Sequence, residues 1–323
     1  MVKADKDKLS NKMRLTTLLS SSRLWMVLLS AGISLCIIHL YTTHRSKHQG
    51  LHFTNEDIET IRTLDVIEPG KPEPVGQQLI DEEKRLLAEY YNLTQTITYQ
   101  CKNRKRYGNQ NDGGWEICLD AGFQIQAPCL VYSFGINNDF SFDDSIDKQM
   151  GCEIHAYDPS MAVNDHKRGK NINFHKVGIS NEDSRQVSWI MRKVSSLIHG
   201  LGHQNRIIDY MKMDVEYSEW KAMEKMLEED VFKNIRQFAV EIHLPSLDIL
   251  GYGHVRYEPL KRLTRILRSV KHAGFEVYHN HANPMGLSFN KVLGVKKTCC
   301  DEVYYINKRF LPQVAQTAAK PAK

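Results

Sequence analysis

The chain has 323 residues, of which 41% are hydrophobic and 25% charged, with a formal net charge of +5. That is enough chain for one large folded domain with appendages, and the composition is that of a globular protein rather than a disordered or fibrous one. Much of the positive excess lies near the N-terminus, and the one short basic run further on, KNRKR at Lys102–Arg106, reads as a solvated face, so a nucleic-acid partner is not expected.

The first element is LWMVLLSAGISLCIIHLY, Leu24 to Tyr41, which is 18 residues without Asp, Glu, Lys or Arg. This is about the minimum for a membrane-spanning helix. Lys3, Lys6, Lys8, Lys12, Arg14 and Arg23 precede it, and only Arg45 and Lys47 follow closely. The bias predicts a cytosolic tail at 1–23, a signal-anchor at 24–41, and a single-pass type II protein whose remainder is lumenal or extracellular. The rival reading is a cleaved signal peptide with its cleavage region near Ser30–Gly32, leaving a secreted protein. Residues 42–75, with KPEP at Lys71–Pro74, read as a stem. The folded domain is expected over 76–311 and a disordered tail over 312–323.

Beyond Cys36 in the apolar segment there are six cysteines: Cys101, Cys118, Cys129, Cys152, Cys299 and Cys300. An even number suits an oxidising compartment, and the fifteen possible pairings stay open. Adjacent Cys299 and Cys300 are expected to seek different partners. No CxxC spacing suggests zinc, and no metal is expected. Asn92-Leu93-Thr94 is an N-glycosylation sequon, consistent with lumenal placement.

Within the domain, Gly76–Tyr91 places Leu79, Leu86, Leu87 and Tyr90 near one helical face. Seven strands then follow: Cys129–Phe134, Cys152–Asp158, Ile172–Ser180, Ile208–Glu216, Ile235–Leu244, Phe275–His281 and Glu302–Arg309. Trp220, Met223 and Leu227 mark a helix between the fourth and fifth. Leu260, Leu263, Ile266, Leu267 and Val270 mark another before the sixth, stopped by Gly274. Strands alternating with helices predict an α/β fold with a doubly wound, mostly parallel seven-stranded sheet. Ligands of such sheets bind at the carboxyl ends of the strands.

Four strand ends therefore carry the functional reading. Gly135 breaks the first strand and is followed by Asn137, Asn138 and Asp139, either a cofactor loop or a plain Gly-Asn turn. Asp158 closes the second strand 23 positions later, where a carboxylate can grip ribose hydroxyls or merely open an Asp-Pro turn. Asp214 and Glu216 end the fourth strand, and Glu241 and His243 the fifth. Each pair is two residues apart and so shares a face. Asp214, Glu241 and His243 are candidates for taking a proton from a substrate hydroxyl, and His279 and His281 for lining the same rim.

These residues carry a resemblance. GGWEICLD (Gly113–Asp120), PCLVYSFGINNDFSFDD (Pro128–Asp144), GCEIHAYDPS (Gly151–Ser160) and MKMDVEYSEW (Met211–Trp220) resemble the methyltransferase-like protein twenty-four family. KMDVEYSEW also resembles the KIDVEGAE segment of the FkbM-type O-methyltransferases. The likeness covers roughly Gly108 to Lys308. It implies a class I methyltransferase-type sheet and S-adenosyl-L-methionine as cofactor, with Gly135, Asn137 and Asp139 in the cofactor loop. It also implies that Asp158 lies on the ribose and Asp214 near the transferred methyl. No acidic residue precedes a Gly-x-Gly here, only one Gly remains, and Tyr217 stands where the FkbM-type segment has Gly. The implied function is methyl transfer in the secretory pathway, to an oxygen on a small molecule, glycan or protein. The layout also suits a lumenal type II glycosyltransferase, and the divergent loop suits a non-catalytic binding module.

Overall fold

The structure is a computed structural model that describes residues 76–186, 188–244, 257–290 and 292–312. The expected tail, anchor and stem at 1–75, and residues 313–323, lie outside the described residues.

Helix α1 spans Gln77–Gln95. It leads to a hairpin of β1 (Arg104–Tyr107) and β2 (Trp115–Cys118). Next come β3 (Leu130–Phe134), α2 (Ser141–Met150), β4 (Glu153–Tyr157), β5 (His166–Arg168) and β6 (Ile172–His175). A small sheet of β7 (Gly178–Ile179), β8 (Ser184–Gln186) and β9 (Trp189–Arg192) precedes the short α3 (Val194–Gly200). The chain continues through β10 (Ile208–Met213), α4 (Ser218–Glu228), β11 (Ile235–His243), α5 (Tyr257–His272) and β12 (Phe275–Ala282). A hairpin of β13 (Leu287–Asn290) and β14 (Val295–Thr298) comes before β15 (Cys300–Asn307).

The main sheet has eight strands in the order β12-β15-β11-β10-β3-β4-β6-β5. Its five central strands, β11 to β6, run parallel. β15 inserts antiparallel between β11 and β12, and β5 adds an antiparallel edge. The chain works outward from β3 through β4 to β6, then returns to β10 beside β3. That reversal makes the carboxyl ends of β3 and β10 the switch point of the sheet.

The predicted strands are found, with two corrections. The segment 172–180 breaks after His175, and its end pairs as β7 with β9 in the small sheet. The eighth strand, β5, was not expected, because its HKR is fully exposed and shows no apolar alternation.

Both faces of the sheet are covered, as a parallel sheet requires. One face buries Tyr132, Phe134, Met211, Met213, Phe238 and Val240 against α1, α4 and α5. On α5, Leu260, Leu263, Ile266, Leu267 and Val270 repeat at helical spacing and are all buried, each stabilising by about 1.5–3 kcal/mol. The other face buries Val131, Ile154, Phe174, Tyr210 and Tyr304 against α2 and the β1–β2 hairpin. Helix α2 has Asp143 and Asp144 in its first turn and Lys148 in its last, and Gly151 (φ 68°) closes it through bonds to Ile146 and Asp147.

Cys101 pairs with Cys118 and Cys129 with Cys152. The Cys129–Cys152 bridge joins the starts of β3 and β4, whereas Cys101–Cys118 ties the segment before β1 to the last residue of β2. Cys299 and Cys300 pair with each other, contrary to the expectation of separate partners. The two bridges consume the other four cysteines outside the apolar segment, and the junction of β14 and β15 brings the last two sulfurs together.

Candidate functional site

At the switch point the loop after β3 is drawn tight. Gly135 has φ 79°, and a Cβ there would lie 1.6 Å from the carbonyl oxygen of Asp214, so only glycine lets β3 and β10 end side by side. Asn137 (φ 44°) and Asn138 (φ 64°) also take left-handed backbone, which asparagine tolerates better than most residues. Both are exposed.

Asp158, buried at the end of β4, organises this loop. Its Oδ2 accepts the backbone N–H of Ile136 (3.0 Å) and of Asn137 (2.8 Å), and its Oδ1 accepts the N–H (2.7 Å) and hydroxyl (2.6 Å) of Ser160. Four protein donors thus fill the four acceptor positions of the carboxylate. Asp139 is likewise engaged. It accepts from Ser141 N–H (2.8 Å) at the start of α2 and from the Asn109 amide (2.7 Å) in the hairpin turn.

The β1–β2 hairpin roofs the strand ends. Trp115 of β2 lies beneath the ammonium of Lys212 (5.2 Å to the ring centroid), and Lys212 Nζ donates to the Gly135 carbonyl. Lys212 sits in a fully buried strand and is itself 6% exposed. A buried ammonium needs compensation, and the ring face, the carbonyl and nearby carboxylates supply it. One of these, Asp143, has its carboxyl pushed up to about 6 by burial, against the pull of Lys212.

From Lys212 a row of acidic groups runs across the sheet. Asp214 follows two residues on. Glu241 lies on β11, and Glu302 is its cross-strand partner on β15. Burial raises the Asp214 carboxyl above its ordinary range, and Lys212 and His243 oppose the rise. Burial first, then the charge of Asp214, pushes Glu241 up to about 8, while the Asn283 amide donates to it at 3.1 Å. Glu302 accepts from the Tyr304 hydroxyl and faces His281 at 3.4 Å.

His243 closes the row. Its backbone N–H (2.9 Å) and Nδ1 (3.2 Å) both meet Oε1 of Glu219 in the first turn of α4, and its Nε2 lies 3.4 Å from Glu216. Burial pushes the imidazole down, but the Glu219, Glu216 and Glu241 carboxylates outweigh it and hold His243 well above its ordinary value. Glu216 (φ 47°) and Tyr217 (φ 67°) take strained left-handed backbone at this corner.

The structure therefore brings Asp214, Glu216, Glu241 and His243 into one acidic crevice, with the Gly135 loop on its flank. His281 lies on its rim, whereas His279 packs on Tyr304 and bonds Arg104 at 2.7 Å. Sequence reasoning missed Lys212, Glu219 as the partner of His243, Glu302 and Trp115. The signal for Lys212 and Glu302 was charge inside a strand that is buried throughout, which must be paired or in use; β10 also carries Asp209 and β15 also carries Asp301.

A doubly wound sheet of this strand order, with the last strand inserted antiparallel beside the fifth and a polar crevice at the switch point, is the architecture of class I methyltransferases. The family described as "Methyltransferase domain" matches residues 68–304, and the chain belongs to it. Among curated proteins it is 26% identical to "Probable methyltransferase-like protein 24" of Homo sapiens over 222 residues, 63% of this chain and 58% of that protein. It is 27% identical to the Rattus norvegicus protein of the same name over 220 residues, 62% of this chain and 58% of that one. The chain thus matches less than two thirds of the length of these relatives. Among solved structures, Aeropyrum pernix fibrillarin with natively bound S-adenosyl-L-methionine aligns at a TM-score of 0.29 with 10% identity, covering 67% of this chain and 86% of that one. The CcbJ methyltransferase of Streptomyces caelestis aligns at 0.31 with 10% identity, covering 57% and 85%. Scores this low carry no argument, and the fold assignment rests on the strand order and the family match.

Proposed function

We propose that the chain is an S-adenosyl-L-methionine-dependent methyltransferase that acts on an oxygen acceptor, with its domain in the lumen of the secretory pathway or outside the cell. The observation that carries this reading is the family match, which spans the Gly135 loop, Asp158 and most of the acidic crevice. Membership of that family favours methyl transfer over nucleotide-sugar chemistry.

The residues fit such a cofactor at one end better than at the other. At the switch point Gly135 leaves the loop backbone bare, and the exposed Asn137 and Asn138 amides are on hand as donors and acceptors. At the ribose end Asp158 has no acceptor position left, so a ribose hydroxyl has to displace the Ser160 hydroxyl. Bound S-adenosyl-L-methionine would supply a methyl group on a sulfonium, which the acceptor oxygen takes as the carbon–sulfur bond breaks. The chain's own task is to align that oxygen and receive its proton. Glu241, pushed up to about 8 by burial and by the charge of Asp214, suits proton exchange near pH 7, and burial raises Asp214 above its ordinary range beside it. The roof formed by Trp115 and the hairpin shields the crevice.

Calorimetric titration of the disulfide-bonded protein with S-adenosylmethionine and S-adenosylhomocysteine tests the reading. Both are expected to bind. Asp158→Asn should abolish binding, whereas Ser160→Ala, which frees an acceptor position, should preserve or tighten it. A folded wild-type protein that binds neither ligand would leave the fold as a non-catalytic binding module.

A further inference from the structure

We propose that Asn92 carries an N-linked glycan whose first sugar, an N-acetylhexosamine, seats in a groove beside α1 and fastens that helix to α5 and β12. The groove lies where the last turn of α1, the end of α5 and the start of β12 meet. Asn92 is itself one of the residues that line it. The sugar is thus tethered at the groove's own edge, where its effective concentration far exceeds that of a free ligand. The proposal rests on the lumenal placement proposed above.

The Asn92 side chain is set for this modification. It is exposed, and its Oδ1 accepts from the Thr96 hydroxyl at 2.8 Å. That bond uses the amide oxygen, which a glycosylated asparagine keeps. Among the described residues nothing bonds Nδ2, the atom that takes the sugar. In the linking step Nδ2 bonds the anomeric carbon of a sugar carried on a lipid diphosphate. The diphosphate leaves with the electron pair of the carbon–oxygen bond, and the amide gives up one proton. Thr94 serves the sequon while the chain is still extended. In the fold it is buried, and its hydroxyl donates to the Tyr91 carbonyl at 3.4 Å.

The groove offers the two kinds of surface that an N-acetylhexosamine presents. Phe275, Val277 and Tyr305 form an apolar floor, buried except where the groove opens on them. The acetyl methyl and the C–H face of the ring gain contact there. Thr96, Thr98 and Lys271 stand exposed at the rim. Thr98 Oγ1 accepts the Val277 N–H at 2.9 Å, which leaves its own proton for a sugar oxygen. The Lys271 ammonium brings three more donors.

The test uses the full chain made in animal cells with glycan processing blocked, so that any glycan stays high-mannose. One preparation is divided in three. The first part is left intact, the second is trimmed by an endoglycosidase to a single N-acetylglucosamine, and the third is stripped by a peptide N-glycosidase. The urea midpoint is expected to be the same in the first two and lower in the third, at unchanged slope. Lys271→Ala, at an exposed rim position, should shrink the gap between the one-sugar and stripped forms. A midpoint that does not fall on stripping would overturn the seating and leave the lumenal placement standing. So would a fall already complete at the one-sugar stage, or a gap of equal size in Lys271→Ala. A chain that carries no glycan, shown by an unchanged intact mass after peptide N-glycosidase, would overturn the proposal and the lumenal placement together.

Discussion

Gly135 is the residue on which the crevice depends. Its hydrogen occupies the space where any side chain would meet the Asp214 carbonyl, and its backbone is left-handed. Gly135→Ala therefore has to spread β3 from β10 as well as adopt a disfavoured φ. It is expected to cost about 2–4 kcal/mol, read as a lowered urea midpoint at unchanged slope. A midpoint within error of the wild type would mean that the loop is looser than this packing allows. Asp158 has a different kind of importance. Sequence spacing identified it, but for a ribose. In the fold its first partners are the amides of the loop it shapes, and a lone carboxylate in a sequence does not reveal how many donors will reach it. Lys212 and Glu219 were harder to see for the same reason. Their meaning lies in what they face across the sheet, and no spacing along the chain encodes that.

The central elements were legible where the sequence repeats a physical pattern. The apolar runs of β3, β4, β10 and β11 and the stripe of α5 could be read directly, because burial on both faces demands continuous apolar strands. The edges could not, since an exposed strand such as β5 needs no apolar residue. β4 and β6 hold a second feature that the strand pattern hides. His155 on β4 lies 2.9 Å from His175 on β6 and 3.1 Å from Glu153, and His203 lies 3.5 Å from Glu153. Burial lowers all three histidines, His155 to about 4. Each is neutral in the fold, with a folded pKa below its unfolded value near 6.5. Their contribution is therefore present above pH 6.5 and is lost as pH falls through their folded values, which for His155 is about 4. His155 alone should remove on the order of 2 kcal/mol between pH 7.5 and pH 5, measurable as a falling urea midpoint. His155→Gln should flatten that dependence. An equally steep slope in the variant would assign the acid sensitivity to other groups.

At the scale of the molecule, the two bridges Cys101–Cys118 and Cys129–Cys152 tie the hairpin and the first two parallel strands of the sheet. The sequon lies in the last turn of α1, where Asn92 is exposed and its Oδ1 accepts from the Thr96 hydroxyl at 2.8 Å. If the domain is lumenal, the full chain made in animal cells should carry one glycan removable by a peptide N-glycosidase, and Asn92→Gln should lose it. Absence of that mobility shift in the wild type would argue against the type II arrangement.

The place of β15 has a consequence for biosynthesis. It is the last strand of the main sheet in the chain, yet it lies inside the sheet between β11 and β12. A growing polypeptide that has already displayed β3 to β12 still has an open seam along β11, with unpaired amides and carbonyls. The domain cannot close its sheet strand by strand as it leaves the ribosome. It has to hold the seam open, or have it guarded by a chaperone, until the segment from Cys300 to Asn307 arrives. Premature stops or frameshifts shortly before Cys300 would thus yield a protein with nearly all of its residues and an unfinished centre, the kind of product that quality control retains and degrades.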